Sequence, residues 1–321
     1  MDGFRIPIGT WVDSGVDWLR DNLSGLFDLI AVVVRFLVGG LSDVLLSAPI
    51  VVVIVVAALL AWFLRSWKLA VGTVIGFALI LGMGQWVTAM QTLALVLVAT
   101  VVAVAISVPL GIWSARNSTV RAILKPVLDF MQTMPAFVYL IPAITFFSIG
   151  VVPGVVSTVI FALPPGVRLT ELGIRGVDSE TVEAGHAFGA TPGQILRGIQ
   201  LPLAMPTIMA GVNQVIMLAL SMAVVAGIVG ADGLGKEVVQ SISTVNLPKG
   251  VEAGLSVVIL AVYLDRLTAA LGSRADYGSS LLGILGRRRA QRTSAAASTT
   301  DRDATAEAAA SHPRAPIPTG A

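Results

Sequence analysis

Long apolar runs separated by short, often basic, connections dominate the pattern of this chain. Five windows approach the roughly 20 mostly apolar residues that a helix needs to cross a hydrocarbon layer: 46–64, 69–88, 91–113, 205–230 and 252–271. A further apolar stretch, 134–168, is interrupted by Pro142, Gly150, Pro153, Gly154 and the pair Pro164-Pro165. Such breaks predict two short helices with a tight reversal near Gly150 to Gly154. The pattern therefore predicts an all-helical membrane protein with about seven spans.

The two ends read differently. The first 43 residues set Trp11, Trp18, Leu19, Leu26, Phe27, Ile30, Phe36 and Leu37 among Asp13, Asp17, Arg20, Asp21, Asp28, Arg35 and Asp43. Apolar and aromatic residues three or four apart suit a helix lying in the membrane interface better than one crossing it; a poorly packed extension is the alternative. From about Arg287 the chain is Ala, Ser, Thr, Pro and Arg with almost no large apolar residue, too little to bury for an ordered fold. The expected organisation is an N-terminal interfacial segment 1–43, two spans in 44–84, a core 85–272 with a polar loop 177–203 inside it, and a basic tail 273–321.

Charge supplies an orientation. Arg65 and Lys68 follow the first span, Arg116, Arg121 and Lys125 the third, Arg168, Arg175 and Arg197 the fifth, and Arg274 with Arg287, Arg288 and Arg289 the last. Alternate loops are basic, and basic loops stay in the cytoplasm. The N-terminus is thus expected outside and the C-terminus inside. Composition agrees with a bilayer protein: 55% hydrophobic and 12% charged residues, with mean hydropathy +0.87. A net charge of +2 does not point to nucleic acid, because the basic residues fall between apolar runs and in the tail. There is no cysteine, and His186 and His312 alone make no metal site. No cleavable signal peptide is read at the start, since a long acidic and aromatic stretch precedes the first apolar run.

One polar loop is too well built to be only a connection. Residues 177–207 predict two short helices on the cytoplasmic side. Asp178 or Ser179 caps the first, Glu180 and Glu183 favour its positive end, and Gly189 supplies a left-handed stop. Thr191, Pro192 and Gln194 form a capping box with proline at the first position of the second helix, and Pro202 and Pro206 punctuate the return to the membrane.

Within this loop Glu183-Ala184-Gly185, then Gly189 after three residues, then Ile199-Gln200-Leu201-Pro202 after nine more, resembles the EAA signature of the permease subunits of ATP-driven (ABC) importers. Gly185 stands where alanine is usual. The stretches QTMPAFVYLIPAI (132–144), PGVVSTVIFALPPGVRLTELGI (153–174), QLPLAMPTIMAGVNQVIMLALSMAVVAGIVGADGLG (200–235) and VVILAVYLDRLTAALG (257–272) are similar to the glycine betaine/proline betaine branch, the ProW-like permeases. That resemblance implies a type I importer permease fold and a place in the plasma membrane of a prokaryote. It also implies a second permease, most simply an identical copy, two ATPase subunits that hold ATP and magnesium, and an extracytoplasmic binding protein that delivers the solute. No cofactor is then expected on this chain. The EAA loop would couple to the ATPase through Glu183, Ala184, Gly185, Gly189, Ile199, Leu201 and Pro202. Ala184, Gly185 and Gly189 are small enough for a partner backbone to approach, Glu183 offers a carboxylate, and Leu201-Pro202 sets the re-entry angle. The resemblance implies import of a quaternary-ammonium compatible solute of the glycine betaine/proline betaine class, with choline, carnitine or ectoine as the alternative.

Other classes fit less well. Gly230 to Glu237 imitates a phosphate-binding loop, but Glu237 replaces the magnesium-binding hydroxyl and a membrane helix precedes it in place of a strand; its glycines predict an outer turn. An ion-coupled secondary transporter would carry acids or histidines at the centres of its spans, which are essentially free of them. An intramembrane enzyme would show HExxH or GxSxG, and neither occurs. Asn213, Gln214 and Ser221 are the polar residues of the 205–230 span, and either line a path or bond helix to helix.

Overall fold

A computed structural model describes residues 7–272, and its described residues are helical throughout, with no strand among them. The basic tail expected beyond 273 lies outside the described residues. The helices are α1 (Ile8–Asn22), α2 (Ser24–Ser47), α3 (Ile50–Leu64), α4 (Trp67–Gly82), α5 (Trp86–Arg116), α6 (Ser118–Thr133), α7 (Leu140–Phe147), α8 (Val151–Arg175), α9 (Ser179–Ala187), α10 (Pro192–Ile195), α11 (Leu201–Ala226), α12 (Leu234–Ser243) and α13 (Leu247–Gly272). Five runs are long and apolar enough to cross a membrane: α2, α5, α8, the continuous run Pro192–Val229 and α13. The count becomes six if α6 and the segment Ala136–Phe147, which meet at a bend of 110°, form one broken span.

Helices α5, α8 and α11 form the centre, and small residues let them approach. A Cβ at Gly111 would lie 2.5 Å from the Thr170 Cβ, and one at Gly166 would lie 2.8 Å from the Ser107 Cβ. Without a hydrophobic drive between helices in lipid, such close van der Waals packing is what holds them. Helix α13 is tied to α11 by polar groups: Asn213 Nδ2 donates to Asp265 Oδ1 at 3.0 Å, and Thr268 Oγ1 donates to Asn213 Oδ1 at 2.6 Å. Asn213 is therefore a helix-to-helix bond. Gln214, Met217 and Ser221 instead share an exposed face of α11.

The prolines act differently from the sequence expectation. The reversal does occur, at Ser148 (φ 61°) and Gly150 (φ 140°). Yet α8 continues for 25 residues through Pro164 and Pro165, because burial against α5 and α11 outweighs the backbone bonds two prolines remove. Residues 118–133, read as a basic connection, are a helix. Asn117 caps it, its Oδ1 accepting from the N–H groups of Thr119 (2.9 Å) and Val120 (3.1 Å).

Helices α3 and α4 are only 15 and 16 residues long, about 22–24 Å, and are shorter than the windows 46–64 and 69–88. Pro49 starts α3 and the Gly82 to Gly84 turn stops α4. Helix α2 passes the length test for a span, yet both of its ends touch the same end of the bundle. Phe27 stacks on Phe146 (centroids 4.5 Å) and meets Phe147 edge-on at 5.6 Å, just before the α7–α8 reversal. Ser42 and Asp43 share a cleft with Gln91, Val151 and Asp232, at the starts of α5 and α8 and in the loop before α12. Arg35 lines both clefts. Helix α2 thus runs across that end of α5, α7 and α8.

Candidate functional site: the α9–α10 loop

The loop from Gly176 to Gln200 sits at the end of the bundle opposite to α2. Asp178 caps α9, its carboxylate accepting from the Glu180 N–H (3.4 Å) and the Thr181 hydroxyl (3.1 Å). Helix α9 closes on Gly189 at φ 79°, with the Gly189 N–H on the His186 carbonyl and the Ala190 N–H on the Gly185 carbonyl. A left-handed glycine with such backward bonds satisfies carbonyls that a helix end otherwise leaves orphaned. Helix α10 begins with a full capping box: the Gln194 N–H donates to Thr191 Oγ1 (3.4 Å) and the Thr191 N–H to Gln194 Oε1 (2.7 Å). Pro192 occupies the first helical position, where its missing N–H costs nothing.

Pro202, expected to punctuate the return to the membrane, does not interrupt the helix. Helix α10 flows through a single π-turn, Leu196–Gln200, into α11, with Pro202 in the first turn of α11. A π-turn absorbs the bonds a nearby proline disrupts without ending the helix. Loop and α11 are therefore continuous: α10 joins, without a break, the helix that packs most closely on α8.

The seven signature residues divide by environment. Glu183, Ala184, Gly189 and Pro202 are exposed, Ile199 and Leu201 are half-buried, and Gly185 is buried. The room at Gly185 is used inside the chain: a Cβ there would lie 2.8 Å from Ile199 Cδ1 and 3.4 Å from Ile195 Cγ1. Gly185 and Ile199 thus close α9 onto α10. Leu201 joins Ile174, Leu196, Ala204 and Ile208 in the small cluster that seats the loop on α8 and α11. The expectation that Gly185 receives a partner backbone gives way to this internal role.

Sequence reading missed the most conspicuous side chain of the loop. Phe188, between α9 and Gly189, is 93% exposed. Glu183 lies on α9 itself, and neither residue has a side-chain partner among the described residues. A rigid, doubly capped pair of helices that holds an aromatic ring in solvent suits insertion into a partner's pocket, where buried aromatics carry much of the binding energy. No local sequence signal gives Phe188 away, because exposure is a tertiary property.

Gly230 to Gly233 make a turn, as the glycines predict, and Leu234 to Glu237 open α12. Gly230 is left-handed, and Gly227 packs against the backbone of Gly235. Lys236 Nζ lies 2.7 Å from Asp232 Oδ1, a hydrogen bond that holds the Lys236 ammonium above its ordinary pKa.

Residues 107–277, just over half of the chain, match the family model for the binding-protein-dependent transport system inner membrane component. This chain belongs to that family. The permease is 50% identical over 264 residues to the glycine betaine transport system permease protein OpuAB of Bacillus subtilis, covering 82% of this chain and 94% of that one. It is 46% identical to the glycine betaine/proline betaine transport system permease protein ProW of Escherichia coli, covering 88% and 82%. Its identity to the trimethylamine N-oxide transport system permease protein TmoV of Ruegeria pomeroyi is 36%, over 82% of this chain and 42% of that one. Among solved structures, the inward-facing MetNI methionine ABC transporter matches with TM-score 0.51 and 25% identity, over 57% of this chain and 90% of that one. The fold is that of a type I importer permease, and the chain is a multi-pass membrane transport subunit.

Proposed function

We propose that this permease carries a quaternary-ammonium compatible solute of the glycine betaine class inward, driven by ATP hydrolysis on a separate subunit. The substrate reading is carried by one observation: near 50% identity, over most of both chains, to permeases named for glycine betaine. Trimethylamine N-oxide, a related methylated amine, is the second reading, carried by a relative at lower identity.

The coupling element is the α9–α10 loop. Phe188 enters a groove of the ATPase subunit, Glu183 meets a basic group there, and Ala184, beside Gly189, lets the partner backbone approach. Gly185, Ile199, Leu201 and Pro202 keep the loop rigid on α11. Two ATPase subunits with ATP and magnesium, a second copy of this permease and an extracytoplasmic binding protein complete the importer. The face of α11 that carries Gln214, Met217 and Ser221 is open in the single chain and lines the path between the two copies.

The α9–α10 loop lies in the cytoplasm, with α2 in the plane of the outer interface. Seven crossings follow: α3, α4, α5, the broken α6–α7 pair, α8, α11 and α13. The shortness of α3 and α4 is met by Arg65, Trp67 and Lys68, which reach from their shared turn to the interface. The N-terminus is then outside and the C-terminus inside.

The test is uptake of radiolabelled glycine betaine by proteoliposomes that hold this chain with its ATPase and binding protein, with ATP trapped inside. Phe188→Ala and Glu183→Lys should abolish uptake while substrate delivery to the outer face is unchanged. Uptake that follows a proton or sodium gradient without ATP would overturn the mechanism. ATP-driven complexes that ignore betaine and take trimethylamine N-oxide would change the solute alone.

A further inference from the structure

Between α6 and α8, at the end of the bundle that carries the α9–α10 loop, a cavity of about 300 Å³ is lined by Arg121, Lys125, Arg168 and Arg175 against a single carboxylate, Glu171, with Leu128 and Leu172 completing the wall. Glu171 is held in place from both sides. Its Oε2 accepts the Ser114 hydroxyl at 2.7 Å, and its Oε1 lies 2.7 Å from Arg121 Nε. Arg168 is paired with Asp129. Lys125 and Arg175 have no ion-pair partner among the described residues, so the cleft keeps two uncompensated positive charges beside two that are already fixed in position.

We propose that this cleft binds the phosphate-bearing headgroup of an anionic phospholipid. Charge complementarity selects an anion, and fixed guanidinium groups recognise phosphate oxygens well. The surroundings select a lipid over free phosphate. Leu172 is exposed at the wall of the cleft, and Leu128 completes its apolar side. A headgroup seated among Arg121, Lys125 and Arg175 therefore has the exposed Leu172 beside it, where an acyl chain can leave the cleft. Basic clefts between helices on the cytoplasmic side are where anionic headgroups lodge. A lipid wedged there would brace α6 against α8 two turns before α8 leads into α9. The site concerns this chain alone and stands whether or not the coupling reading holds.

Native mass spectrometry of the full chain, released from detergent with phosphatidylglycerol, phosphatidylcholine or inorganic phosphate added, tests the site. Phosphatidylglycerol should be retained in preference to phosphatidylcholine. Lys125→Gln should weaken retention about fivefold, and Lys125→Gln with Arg175→Gln about 25-fold, from the loss of one and two near-surface charges. Lys68→Gln, a basic residue outside the cleft, should leave it unchanged. Equal retention of the two lipids, or full retention by the double variant, overturns the proposal. Displacement by an equal concentration of inorganic phosphate would make this a free-anion site and overturn it as well. So would a cross-link between Lys125→Cys residues of two copies that excludes lipid, since the cleft would then be a contact between permeases.

Discussion

Close approach, more than conformational freedom, sets what several glycines of this permease tolerate, and the neighbour decides the cost. At Gly185 the obstructing atom would be the end of a flexible side chain, Ile199 Cδ1 at 2.8 Å. At Gly235 a Cβ would press on main chain, 2.5 Å from the Ala223 carbonyl and 2.8 Å from the Val224 Cα. An isoleucine tip can turn, whereas the backbone of α11 cannot. Gly185→Ala should leave the melting temperature of the purified chain within error of wild type. Gly235→Ala should lower it by an amount equivalent to about 1–3 kcal/mol, the usual cost of overpacking. Equal losses in a detergent thermal-shift series would show that the Ile199 tip cannot turn aside and that α9 and α10 are locked together. The substitution of glycine for the usual alanine in the signature is thus a mild change that leaves α9 and α10 in contact.

At the scale of the element, capping fixes α9 and α10, and in the proposed function the loop then acts as a lever. Thr191→Ala removes one half of the capping box and should cost about 1 kcal/mol, but the effect on transport should exceed the effect on stability. A loosened α10 no longer passes its motion through the π-turn into α11, so ATP hydrolysis in the assembled complex should continue while uptake falls. Hydrolysis and uptake that fall in proportion would count against the lever. This loop was legible in the sequence because caps are local: Asp178, Gly189, Thr191, Pro192 and Gln194 all act where their types predict. Helix α6 was not, since at 16 residues, with Arg121, Lys125 and Asp129 among them, it falls below any window suited to a membrane crossing. The continuity of α8 through Pro164 and Pro165, like the exposure of Phe188, depends on what packs nearby, which no local pattern records.

At the scale of the whole molecule, the most consequential placement is that of α2. By length and composition it crosses a membrane; by its contacts it lies over one end of the core. A 24-residue helix is about 36 Å long, so a vertical α2 with Phe27 against Phe146 would put Asp43 near the opposite interface. Asp43 instead shares a cleft with Gln91 and Asp232, on the same end as Phe146. The difference can be measured directly because the chain has no native cysteine. Ser24→Cys and Val44→Cys, placed singly near the two ends of α2, should both react with a membrane-impermeant maleimide added to the outside of intact cells, and Phe188→Cys should react only after the membrane is permeabilised. A crossing α2 would leave one of its two ends unlabelled from outside. That result would change the count of spans before α5, and with it the side on which the N-terminus lies. The placement of Phe188 would be untouched, because α5, α8 and α11 fix that end of the bundle without α2.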